Sequence, residues 1–164
     1  MDLHYYDFDP PAGWNGFRAG SQVRLIPPNT PPPQARCAIV VSPLVPRSKA
    51  LPAADVLIEQ TLAAEAGLAG SQVEAKDGPR PVSTTTGLAG VWFDVRMRVK
   101  AGLERRIYVM FVDELCYYGI SYLADEAAFD EHVETFWTAA RSIRPFNGRL
   151  VPPSPALKHY SDSD

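Results

Sequence analysis

Asp94, Arg96 and Arg98 alternate along one segment, and Arg105 and Arg106 come back toward them after a short turn. Basic groups at alternate strand positions could bind an anion or an acidic peptide. The same residues also suit a solvated sheet face, where cross-strand charge pairs contribute a few tenths of a kcal/mol each. A second group is aromatic: Trp92, Tyr108, Tyr117, Tyr118 and Tyr122. Such side chains are ordinary strand formers and also frequent anchors of binding surfaces. A third is Thr84-Thr85-Thr86-Gly87-Leu88-Ala89-Gly90. It reads as a turn or bulge before a strand, with a ligand-binding loop as the alternative.

Templates for catalysis are not met. His4 and His159 lie near the termini, and His132 sits beside the apolar face of a helical segment, where packing is its expected role. No Gly-x-Ser-x-Gly elbow or Cys–His signature is present, and the glycines lack phosphate-loop and dinucleotide spacing. Cys37 and Cys116 are too few for a zinc site; both lie in apolar segments and read as buried free thiols. The expectation is a chain with no catalytic residues, no metal and no cofactor.

The elements that must carry these groups follow from periodicity. Val91, Phe93, Val95, Met97 and Val99 alternate with Trp92, Asp94, Arg96 and Arg98, the period of a half-buried strand. Lys100-Ala101-Gly102 turns the chain. Arg105 to Val112 returns as a strand, and Leu115 to Leu123 follows, so three sequential strands form a meander. Trp92 lies on the face opposite Val95, and Tyr108 on the face opposite Val109. If a helix covered one side of the sheet, this pair would mark the other. Gln22 to Ile26 and Arg36 to Ser42 are further strands. Ala54 to Leu68 reads as a helix with Leu57, Ile58, Thr61, Leu62, Glu65 and Ala66 inward. A last helix follows Asp125, taken as its N-cap, with Phe129, Val133, Phe136, Trp137, Ala140 and Ile143 on one face. Pro145 ends it.

The chain has 164 residues, 46% hydrophobic and 21% charged, enough for one domain with its own core. Residues 1–146 form that domain, and 147–164 read as a mobile Pro/Ser-rich tail. Net charge is −3, which gives no support to nucleic-acid binding. The 16 prolines, roughly double the background of about 5%, gather between elements. Residues Met1 to Phe8 show no export signal, and no apolar run reaches the roughly 20 residues that span a bilayer. A cytoplasmic protein without membrane insertion is expected.

The order of these features carries a resemblance. Pro11-Ala12-Gly13-Trp14 precedes a strand ending in Pro27-Pro28, then the apolar strand Ala38 to Ser42, a helix, a meander led by Gly87-Leu88-Ala89-Gly90, and a final helix closing in Ser142-Ile143-Arg144-Pro145-Phe146. Across residues 4 to 146 this resembles the DcrB-related proteins of the PsbP-like superfamily. The resemblance implies an α+β fold, a twisted antiparallel sheet flanked by two amphipathic helices in an α/β/α sandwich. It implies protein binding rather than enzymatic activity. One cytosolic branch comprises effector-associated chaperones of type VI secretion. They are often homodimers and shield apolar effector segments on a sheet face. The expected function is therefore a protein-binding adaptor or chaperone whose sheet face holds a peptide, partner helix or effector segment. Trp92, Arg96, Arg98, Tyr108, Tyr118 and Tyr122 are its candidate contact residues. The alternative is an immunity or scaffold protein that reads a folded partner through the Arg-bearing hairpin.

Overall fold

Strict alternation along residues 89–125 forces a two-faced meander, and the fold grows outward from it. The computed structural model describes residues 4–48, 52–68 and 70–146. Residues 147–164, read above as a tail, lie outside the described residues. The meander consists of β6 (Ala89–Val99), β7 (Gly102–Val112) and β8 (Cys116–Asp125). Earlier in the chain come β1 (Asn15–Ala19), β2 (Gln22–Ile26), β3 (Cys37–Val41), the two-residue β4 (Val45–Pro46) and β5 (Gln72–Ser83). All pair antiparallel in one sheet of order β1-β2-β3-β8-β7-β6-β5, with β4 beside the start of β8.

Residues directly opposite in antiparallel strands share a face. One row runs Phe17–Arg24–Val40–Ser121–Tyr108–Phe93. The adjacent row runs Arg18–Val23–Val41–Ile120–Val109–Trp92–Arg80 on the other face. The second face holds the larger core. There α2 (Phe129–Arg141) sets Phe129, Phe136 and Ala140 against Ile39, Val109, Ile120 and Tyr122. Phe136 stacks on Tyr122 at 5.5 Å between ring centroids. The segment before β1 is not a strand, but Tyr5, Tyr6 and Phe8 are buried in this same core.

The first face carries the smaller core. Ile58 and Leu62 of α1 (Ala54–Ala66) pack on Phe93, Val95, Met97 and Tyr108. Only one stripe of α1 is buried, because Thr61 and Ala63 face solvent. Helices therefore lie on both faces, as the α/β/α sandwich requires.

Two sequence expectations change in detail. The last helix begins at Phe129 after a 3-10 turn over Glu126–Ala128, and Asp125 makes no side-chain cap bond. Its carboxylate instead accepts from Arg36 Nε at 3.3 Å. The Thr84–Gly90 loop is a structural clamp. Thr85 N and Oγ1 donate to the Arg141 carbonyl, and Thr86 Oγ1 donates to that of Ile143 at 2.6 Å. These satisfy carbonyls that a helix end leaves without partners. Cys37 and Cys116 are buried free thiols, both pushed above the ordinary thiol range by desolvation.

Candidate functional site: an uncovered strip of sheet

The six candidate contact residues do not form one surface. Trp92 and Tyr108 stand on opposite faces, because Trp92 is directly across from Val109 and Tyr108 directly across from Phe93. Trp92 meets Trp137 of α2 edge to face, with centroids 5.1 Å apart. Tyr108 lies under α1, 6% exposed. Tyr122 is fully buried beneath α2, and Tyr118 is fully buried on the same face of the sheet, against Tyr6.

The tyrosines act as internal staples. Tyr122 donates to the Phe129 carbonyl at 2.8 Å, tying β8 to the start of α2. Tyr118 donates to Asp113 and accepts from the Phe146 amide, each at 2.7 Å. Tyr117 donates to Pro52 O at 2.7 Å, and Tyr6 to Gly119 O. Tyr108 donates to Glu65, which also accepts from Arg106 Nη1 at 2.9 Å. Burial raises the phenols of Tyr6, Tyr108, Tyr118 and Tyr122 above the ordinary value. A surface of exposed tyrosine hydroxyls is thus replaced by a set of buried, satisfied ones.

The arginines of the hairpin, Arg96 and Arg98 exposed and Arg105 and Arg106 less so, are paired within the chain. Arg96 meets Glu126 at 3.4 Å and Arg98 meets Glu74 at 2.5 Å. Arg105 binds both oxygens of Asp94 while lying 4.0 Å over the Phe129 ring. Arg106, nearly buried, is held by Glu104 and Glu65. An acidic partner would have to displace these carboxylates.

What remains open is a different region, which sequence reasoning did not single out. On the first face α1 packs on β5, β6 and β7. Beyond it, among the described residues, no helix covers the face over β8, β3 and β2, which carries Ser121, Leu123, Gln22 and Arg24, all half-buried, around the buried Ala38 and Val40 of β3. Ile58, Thr61 and Glu65 of α1 bound a cavity of about 60 Å³ on one side of this strip. Pro32, Ala35 and Arg36 bound a larger one of about 140 Å³ on the other. Three strands at about 4.8 Å spacing give a floor roughly 10 Å across, the width of one helix. The signal was present as the alternation in Gln22 to Ile26, but its outward face could only be recognised once the helices were placed.

No protein-family model matches the sequence, and no curated protein is similar to it. Solved structures do match. One is the solution structure of cyanobacterial PsbP from Synechocystis sp. PCC 6803, at a TM-score of 0.58 and 15% identity, covering 88% of this chain and 93% of that one. Another is the Pseudomonas aeruginosa protein PA94, described as of unknown function and a putative regulator, at a TM-score of 0.51 and 15% identity, covering 82% of this chain and 99% of that one. Among the described residues no helix is long and apolar enough to cross a membrane. The fold of this chain is the PsbP-like α+β sandwich.

Proposed function

We propose that the protein is a non-enzymatic adaptor or chaperone that holds a partner's apolar segment on the strip over β2, β3 and β8. One observation carries this reading: the strip is bounded by α1 and by the Pro32–Arg36 segment, at a width that suits one helix or extended chain. Helix-in-groove binding buries an apolar stripe on such a floor. The finer version, a cytoplasmic effector-associated chaperone of type VI secretion acting as a homodimer, rests on the order of sequence features alone.

The test uses a fluorescent apolar helical peptide with a solubilising lysine tail, followed by anisotropy. Wild-type protein gives saturable binding with little dependence on salt, since exposed charges screen over about 10 Å at 0.1 M and apolar contacts do not. Ser121→Arg, which sets a charge on the floor of the strip beside Val40, abolishes it, and Trp92→Ala, on the other face, leaves it intact. Equal loss from both variants, or no saturable binding by the wild type, defeats the reading.

A further inference from the structure

The larger cavity contains an unmet charge. Arg24 lines it, and the Arg24 Nε is buried with no hydrogen-bond partner among the described residues. A buried donor left without an acceptor is costly, most of all on a charged group. The other charged side chains of the cavity are already matched. Arg36 pairs with Asp125, and Glu104 takes two bonds from Arg106, at 2.8 and 2.6 Å. The four charged side chains of the lining balance, two arginines against two carboxylates, and Arg24 is the one of them with no ion-pair partner among the described residues. The rest of the wall is mixed: Phe17, Ile26, Ala38 and Leu123 stand beside Arg36, Glu104 and Asp125. The volume, about 140 Å³, is close to that of an engineered protein cavity that admits benzene.

We propose that this cavity is a binding site for a carboxylate attached to a short apolar group, with the carboxylate accepting from the Arg24 guanidinium and the apolar part lying against Phe17 and Leu123. Guanidinium presents a planar fork of donors that matches a carboxylate side-on. One guanidinium without a partner among the described residues, beside Phe17 and Leu123, suits a monoanion with a short hydrocarbon tail better than a dianion such as phosphate, which needs several donors. The carboxylate has two possible sources, a small free acid or the C-terminus of a peptide. The site does not depend on the apolar-segment reading and survives its failure.

Uniformly labelled wild-type protein is titrated with valerate, valeramide, inorganic phosphate, and the peptide Ala-Ala-Val with its C-terminus free or amidated. The Arg24 Nε–H resonance is followed by NMR and assigned by its loss in Arg24→Gln. Valerate shifts that resonance to saturation, and valeramide binds about ten- to a hundredfold more weakly, the factor expected for a hydrogen bond to a charged group. Arg24→Gln loses valerate binding to the same degree. If the free peptide saturates and its amide does not, the chain terminus is the physiological source; if valerate alone does, a small acid is. Equal binding of acid and amide, tighter binding of phosphate, or no response of the Arg24 signal to any carboxylate overturns the site. The comparison of acid with amide uses only wild-type protein, so it stands even if Arg24→Gln folds poorly.

Discussion

At the scale of single residues, close approach decides more than composition does. Gly90 lies opposite Phe111 where β6 meets β7, and a Cβ there would come within 2.4 Å of the Met110 carbonyl and 2.8 Å of the Phe111 ring. Backbone cannot yield as a flexible side chain can. Gly90→Ala should therefore destabilise the protein by about 2–3 kcal/mol, in the range of overpacked cores. Urea unfolding would register this as a lower midpoint at unchanged slope. A midpoint equal to wild type would show that the β6–β7 spacing is slack. Arg106 illustrates the same point for charge. On a strand it reads as a solvent-facing base, yet three side chains, Glu104, Glu65 and Tyr108, close around it.

At the scale of elements, the ends of α2 are held by parts of the chain far away in sequence. The carbonyl of its last residue, Arg141, accepts from both the Thr85 amide and hydroxyl, and the Ile143 carbonyl just past the helix accepts from Thr86 Oγ1. Its start is held by Tyr122, and His132 stands edge-on to Trp14 at 5.2 Å. Thr86→Val keeps the shape and removes the hydroxyl, leaving a part-buried carbonyl short of its donor. The expected loss is about 1 kcal/mol, or roughly 2–4 °C in Tm for a domain of this size. Thr86→Ser should recover most of it in the same thermal scan. A valine variant as stable as wild type would mean that water replaces the threonine without cost. The prolines also act at this level. Pro79 and Pro81 sit inside β5, which is tolerated because β5 is the outermost strand and its far edge has no ladder to maintain.

At the scale of the whole molecule, the buried tyrosines couple folding to alkaline pH. Burial disfavours the phenolate in the native state for Tyr6, Tyr108, Tyr118 and Tyr122, whereas the unfolded chain ionises near the ordinary phenol value of about 10. Above that pH the unfolded state holds fewer protons than the native one. The stability these residues contribute is thus complete below about pH 10 and is lost as pH rises toward their raised native values. Tyrosinate absorbance and circular dichroism followed together against pH should change in one cooperative step. Gradual ionisation near pH 10 with the dichroism intact would contradict the burial of these side chains.

The sequence by itself determined the elements of the meander, both helices, the apolar face of α2 and the α+β class, because each depends on a local period of 2 or 3.6 that needs no knowledge of neighbours. The ordering of the motifs carried the fold as far as the PsbP-like sandwich. What it could not decide was which face of one strand joins which face of the next. Alternation gives every strand two faces, and a one-residue change of register exchanges them. That is why Trp92 and Tyr108, each polar-facing on its own strand, end on opposite sides, and why Tyr118 and Tyr122 are staples rather than contacts. β1 was not read as a strand, since an edge strand is free of the patterning that burial imposes. The open strip and the unmatched Arg24 belong wholly to the tertiary structure. An uncovered surface is defined by where the helices fail to reach, and an unpaired charge by which partners all its neighbours have already found.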